Sequence, residues 1–344
     1  MQSLIDQLKA KRPLGEPEIE AAVQGLLAPE IAGEQKGEFL KALRAKGETA
    51  EELAGFVKAL LAHSIDPGLS AEELPGPMID LCGTGGDQLG LFNISTTCMF
   101  VVAAGGAVVV KHGNRGITSK CGGADVLEAL EVRIDLTPAQ LQRSVKETGL
   151  GFLFAPLYHP AFKMIAPVRK ALAAQGIATI FNLLGPLLNP ARPPHQLVGI
   201  FSPDLLPLYA KALALLDRRH AWAVHGAGMD ELSTLGNSEV HAVRQDGVNR
   251  FLIDPAEFGF SAPTLSQLQG GDKDENAAIL TGILDGSVRG PKRDIVVLNS
   301  AAALVIANLA PDLAEGIALA EEQLHSGKAL GKLRQVQALH AALY

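Results

Sequence analysis

A proline- and glycine-rich break, Pro67-Gly68 and then Pro75-Gly76-Pro77, divides the chain into two stretches whose apolar residues keep different periods. Such a cluster interrupts helix and strand alike, because proline donates no N–H and glycine leaves the backbone loose. Before the break apolar residues recur only at helical spacing. Leu4, Ile5 and Leu8 form one stripe, Ile19, Ala22, Val23, Leu26 and Leu27 a second, Phe39, Leu40 and Leu43 a third. A fourth helix is expected after Thr49, an N-cap with Glu52 three residues on, through Leu53, Phe56, Val57, Leu60 and Leu61. Residues 1–70 read as a small all-helical domain.

Beyond the break the signal alternates. Short apolar runs at 78–81, 108–110, 152–154, 197–201 and 221–224 predict strands, each leaving into a glycine-rich or polar loop. Helices are expected from about Ile94, through 124–130, after Thr137-Pro138, after Ser202-Pro203, and over most of the tail from Asp272, where Pro311 opens one. That alternation predicts an α/β domain over 76–344 with a mainly parallel central sheet covered by helices. Ligands of such sheets lie at the carboxyl ends of the strands, so the exit loops are where chemistry is to be sought.

Composition narrows the class. Hydrophobic residues make up 47% of the 344, enough for a large core, and 37 acids against 30 bases leave a net charge of −7. A net acidic chain is a poor binder of nucleic-acid phosphates. Cys82, Cys98 and Cys121 form no CxxC pair, which suggests a reducing compartment. The start MQSLIDQLKAK lacks the apolar stretch of a signal peptide, and the apolar runs near 99–110 and 295–310 are too short or too interrupted to span a bilayer. A cytoplasmic protein without a membrane partner is expected.

Three exit loops carry chemical character. Gly83-Thr84-Gly85-Gly86-Asp87 can turn its amides inward around an anion, and Asn93-Ile94-Ser95-Thr96 follows at a helix start, where free N–H groups and hydroxyls suit a phosphate. Lys111-His112-Gly113-Asn114-Arg115, then Thr118-Ser119-Lys120, offers cations, an amide and hydroxyls to an anionic, oxygen-rich ligand. Asp230-Glu231, in the loop after 221–224, presents the one or two carboxylates typical of Mg²⁺ held together with phosphates. Zinc-type histidine spacings, a GxSxG elbow and a Walker A loop are all missing. Cys82 and Cys121 read as packing residues, and His159 as the start of a helix. These loops point to a Mg²⁺-dependent enzyme acting on a pyrophosphorylated small molecule, and leave the acceptor open.

The segments DLCGTGGD, FNIST, KHGNR, ADVLEAL, FAPLYHPAFKMIAPVR, TIFNLLGPLLNPA and VHGAGMDELS stand in the order found in anthranilate phosphoribosyltransferases, which the chain therefore resembles. The helical head and the Gly-Gly…Glu-Asn-Ala segment at 270–277 are similar too. The resemblance implies transfer of phosphoribosyl from phosphoribosyl pyrophosphate to the amine of anthranilate, releasing pyrophosphate, in tryptophan biosynthesis. It implies a Mg²⁺-dependent homodimer whose small helical domain is joined by a mid-chain helical segment near 166–182. Carried over by motif, Gly83, Gly86, Asp87, Asn93, Ile94, Ser95, Thr96, Lys111, Thr118 and Ser119 would hold phosphoribosyl pyrophosphate. Ser95, Asp230 and Glu231 would ligate Mg²⁺, with Lys111, Asp230 and Glu231 the catalytic groups. Gly83, His112, Asn114, His159 and Arg169 would hold anthranilate. Departures from the family pattern fall at Gln88–Leu91, Gly116, Gly123, Glu131 and Ala178; glycine is common where this chain has Glu131, and serine where it has Gly116 and Gly123. A pyrimidine nucleoside phosphorylase would share the fold and a related phosphate loop, but would need neither KHGNR nor the acid pair. A non-catalytic relative that binds nucleic acid is disfavoured by the net charge.

Overall fold

The computed structural model describes residues 1–116 and 120–343. Helices Gln2–Lys9, Glu16–Leu27, Gly33–Lys46 and Ala50–Leu61 make up the head. Their apolar stripes converge on Phe39, Leu40, Leu53 and Phe56, none of which reaches solvent. The capping box expected at Thr49 forms, and its Glu52 does more than cap. The fully buried Glu52 carboxylate accepts the Thr49 and Leu14 N–H groups, each at 2.9 Å, and pairs with Lys46 at 2.6 Å. A charge removed from water needs that many partners.

Seven strands form one sheet: β1 (Met78–Gly83), β2 (Val108–Gly113), β3 (Leu150–Phe154), β4 (His195–Gly199), β5 (His220–Gly226), β6 (Ser238–Arg244) and β7 (Gly247–Ile253). The order is β3-β2-β1-β4-β5-β6-β7. The first five are parallel, as the alternation predicts. β6 and β7 are an antiparallel hairpin that the apolar runs did not reveal. From β1 the chain runs outward to β2 and β3, then resumes on the other side at β4. The crevice between the ends of β1 and β4 is therefore a topological switch point.

Alternation along the strands separates two faces. On the first, Ile79, Leu81 and Val109 pack in one core with helices Ile94–Ala104 and Pro291–Ile306. On the second, Val198, Ile200, Ala221 and Ala223 share a core with helix Leu206–Leu215, with Ile180, Leu184 and Leu188, and with the head. The mid-chain helix Ala166–Ala173 lies on the head, where Val168 sits 3.4 and 3.7 Å from the positions of a Cβ on Gly33 and Gly37. A larger residue at either glycine would hold the two apart.

Two expected helix starts shift. Ser202 makes no capping bond, and Pro203 begins the single 3₁₀ turn Pro203–Leu205 ahead of the helix. Pro311 precedes its helix, and Asp312 caps it through the Glu315 N–H. Among the described residues no helix is long and apolar enough to cross a membrane.

Candidate active site

Asp230 lies in the switch-point crevice at distances only glycine permits. A Cβ on Gly83 would stand 2.3 Å from its carboxylate, and one on Gly199 would stand 1.5 Å from its carbonyl oxygen. Those two glycines end β1 and β4, so the strand ends are cut back to admit the acid. The Gly85 N–H donates to the Asp230 carboxylate at 2.7 Å. Gly85 and Gly86 have φ of +67° and +90°, the left-handed region that turns successive amides the same way. Asp87 completes the acidic cluster. Burial and then the Asp87 charge lift the Asp230 carboxyl to about 6, while burial and then Asp230 lift Glu231 to about 8. The Lys111 charge and the Ser95 N–H work in the opposite direction on Glu231.

Lys111 and Ser95 close this side. Lys111 Nζ donates to Ser95 Oγ at 3.1 Å and to the Leu81 carbonyl. Ile94 and Thr96, at the start of helix Ile94–Ala104, bury their side chains, and the Ile94 N–H donates to the Phe92 carbonyl at 2.8 Å. Asn93 makes no capping bond. Its amide instead donates to the Cys121 carbonyl at 3.3 Å, and its Oδ1 accepts from Asn276 at 3.0 Å. Asn276 belongs to the Gly-Gly…Glu-Asn-Ala segment at 270–277, whereas Asn299 stands in no motif. Asn299 grips the backbone beside the acid pair, accepting from the Leu232 N–H at 2.9 Å and donating to the Leu232 carbonyl at 2.8 Å.

His112, one residue past Lys111, points to the other face. Its ring meets His159 edge-on at 5.2 Å between centroids, and His159 stacks on Phe162 at 4.9 Å. Phe162 contacts Phe181 at 5.8 Å, and the Arg169 guanidinium lies 4.8 Å over the Phe181 ring. Burial takes His112 down to about 3 and His159 to about 4, so both are neutral bases. His159 Nε2 bonds the Leu188 carbonyl at 2.9 Å, leaving Nδ1 without a partner; His112 Nε2 has none either. His159 is thus a buried, inward-facing residue that ends helix Ala155–Tyr158 and caps the start of the 3₁₀ helix Pro160–Met164, the helix-start position expected of it.

The expected residues fall into these two groups, with exceptions. Asn114 is exposed and its Oδ1 accepts the Arg115 N–H at 2.8 Å. Arg115, expected on the anion rim, instead pairs with Asp125 at 3.2 Å and with Glu128, and lies 5.5 Å over the Phe154 ring. Thr118 and Ser119 lie outside the described residues. A Cβ on Gly123 would sit 3.1 Å from Thr96 Oγ1 and 3.8 Å from Lys111 Cε, so a serine there would reach the phosphate side. No three His, Cys, Asp or Glu residues among those described are grouped to hold a metal unaided. Ser95, Asp230 and Glu231 nevertheless form an all-oxygen set suited to a hard cation that draws its remaining ligands from phosphates and water.

Family models agree with this anatomy. Residues 2–64 match the helical bundle domain of a glycosyl transferase family, and residues 75–330 match its a/b domain. An anthranilate phosphoribosyltransferase of Thermomicrobium roseum is 46% identical, over 99% of this chain and 97% of that one. The chain belongs to the anthranilate phosphoribosyltransferase family. The crystal structure of the family member from Thermus thermophilus superposes with a TM-score of 0.90 at 38% identity, covering 98% of this chain and 99% of that one. The Saccharomyces cerevisiae member, in complex with phosphoribosyl pyrophosphate (PRPP) and Mg, gives 0.88 at 30% identity over 99% and 98%. The two sides of the site differ in kind: one is ionic, the other made of neutral imidazoles, phenyl rings and a guanidinium.

Proposed function

We propose that this chain transfers the phosphoribosyl group of PRPP to the amine of anthranilate and releases pyrophosphate. The observation that carries the reading is the divergence of Lys111 and His112. Successive side chains on β2 reach a region of carboxylates, cation and glycine amides on one face, and a region of neutral imidazoles, phenyl rings and guanidinium on the other. Relatives bind the matching molecules: the yeast protein is known with PRPP and Mg, and with 4-fluoroanthranilate.

Loss of pyrophosphate builds negative charge on the leaving group and positive character at the anomeric carbon. The Gly83–Asp87 and Asn93–Thr96 amides, together with Lys111, would hold the diphosphate and ribose, and Thr118 and Ser119 join them in this reading. Mg²⁺, held by Ser95, Asp230 and Glu231, would supply Lewis-acid stabilisation of the diphosphate. Burial first, and then their neighbours' charges, raise the Asp230 and Glu231 carboxyls, and a cation held there would offset both. On the opposite face Arg169 would take the anthranilate carboxylate, since a guanidinium fork matches two oxygens. Gly83 and Asn114 would complete the acceptor site. His112 Nε2 and His159 Nδ1, bare acceptors on neutral rings, would receive N–H donors such as the amine. An aromatic amine is already nucleophilic when neutral, so holding it in line supplies much of the rate.

The same reading makes the protein a cytoplasmic homodimer with domains 1–70 and 76–344. Its small domain recruits the segment near 166–182, which is supported by the apolar core that Ile165, Leu172 and Ile180 share with the head. Light scattering tests the dimer. The activity is tested by incubating PRPP, Mg²⁺ and anthranilate with the protein. Stoichiometric loss of anthranilate fluorescence and release of pyrophosphate is expected, and untouched anthranilate would overturn the reading.

A further inference from the structure

We propose that Asp80 is a positioning residue for the acceptor substrate, acting through Asn189 and the backbone of His112. Asp80 stands in the middle of β1 with no solvent exposure. A buried acid is costly unless it is paired or hydrogen-bonded. It shares the second sheet face with Met78, opposite to Ile79 and Leu81.

One carboxylate oxygen accepts the His112 N–H at 3.3 Å, and the other accepts from Asn189 Nδ2 at 2.9 Å. Asn189 donates also to the Val110 carbonyl at 2.8 Å, and its own oxygen accepts the Ala191 N–H at 2.9 Å. The Asp80 carboxylate therefore ties the end of β2 to residues 185–191. That loop in turn sets both imidazoles: the Leu188 carbonyl takes the His159 ring at 2.9 Å, and the Gly185 carbonyl faces the His112 ring. Moving the loop would rotate both rings and with them their unpartnered nitrogens. The Lys111 charge also acts on Asp80, but Lys111 is held by its Leu81 and Ser95 bonds on the other face.

Asp80 touches neither substrate in this account, and its effect is selective by geometry. Asp80→Asn keeps the shape but turns an N–H₂ toward one of the two donors, so one tie is lost. This inference rests on the transferase reading, and the test separates the two. KM values for anthranilate and PRPP are measured at saturating co-substrate in wild type, Asp80→Asn, Asn189→Ala and the double variant. Ser144→Ala, a distant buried change whose hydroxyl bonds the Leu150 carbonyl at 2.8 Å, serves as the control for general loss of stability.

Losing a hydrogen bond to a charged group should raise the anthranilate KM of either single variant about tenfold. The PRPP KM should stay within about twofold, and the double variant should be no worse than the poorer single one. Ser144→Ala should leave both KM values alone. Equal rises for both substrates, or an unchanged anthranilate KM, would overturn the proposal. Should Asp80→Asn fail to fold, Asn189→Ala alone decides by the same criterion. A wild type that consumes no anthranilate would refute the transferase reading itself, a result distinct from an active wild type whose variants show no split.

Discussion

On the Lys111 side of β2 the polar groups are ionic and crowded, and most already have partners. On the His112 side they are sparser: two neutral imidazoles, each with an unpartnered ring nitrogen, and the Arg169 guanidinium over a phenyl ring. The contrast follows from strand geometry: adjacent residues leave a pleated strand in opposite directions, so one dipeptide can address two chemically unlike regions. It also answers a practical difficulty. Stabilising a diphosphate calls for concentrated charge, and that same charge would hinder docking of an apolar ring. In the proposed transferase, opposite faces would give each substrate its own surroundings while the strand end holds both close together.

The largest expected effect comes from the charged side. Asp230→Asn combined with Glu231→Gln should lower kcat by at least about a hundredfold, the scale of losing a principal electrostatic contact. Isothermal titration should show Mg²⁺ binding weakened in parallel. Wild-type turnover by this variant in excess EDTA would remove the acids, and the metal, from the account.

A smaller effect should appear when pH is varied. Asp230 and Glu231 have raised pKa values of about 6 and about 8, so protons compete with a cation below those values. Mg²⁺ affinity should rise about tenfold or more between about pH 6 and 8 as those protons leave. The imidazoles behave in the opposite sense. Lowered to about 3 and about 4, His112 and His159 are neutral throughout that window, and the anthranilate KM should stay flat. An anthranilate KM that tracks a group near pH 6.5 would mean that the rings titrate as free histidines.

The smallest effect isolates the stacking of Arg169. Phe181→Leu removes the ring 4.8 Å beneath the guanidinium, an interaction typically worth about 0.5–1 kcal/mol, or roughly two- to fivefold in the anthranilate KM. A matching change in the PRPP KM would blur the division between the faces.

Much of the charged side was legible because its residues are contiguous: GTGGD, NIST and the Asp230-Glu231 pair are local motifs at strand ends. The acceptor side is assembled from β2, the Ala155–Met164 stretch and residues 181–189, so only the resemblance linked His112, His159 and Arg169. Phe162 and Phe181 fall within the family-like segments FAPLYHPAFKMIAPVR and TIFNLLGPLLNPA, but nothing in a phenylalanine there marks it as facing a ligand. Asp80 was passed over inside an apolar strand, although a buried acid there always calls for partners. The β6–β7 hairpin was also missed, yet Asp246-Gly247 is a strong turn signal and Gly247 has φ of +135°. Glu131 shows the reverse case. Its φ of +58° explains why glycine is common there, a backbone demand that the chain meets with a less suited residue.

The most direct test of the two-sided site is a crossed titration. Ser95→Ala touches only the Lys111 side, and Arg169→Ala only the His112 side. Each variant is titrated with each substrate while the other is saturating. Ser95→Ala should impair use of PRPP and spare the anthranilate KM. Arg169→Ala should raise the anthranilate KM about 10- to 150-fold, the scale of a lost charge-assisted contact, and spare PRPP. If both variants impair the same substrate, or each impairs both equally, the faces do not divide the chemistry and the account fails.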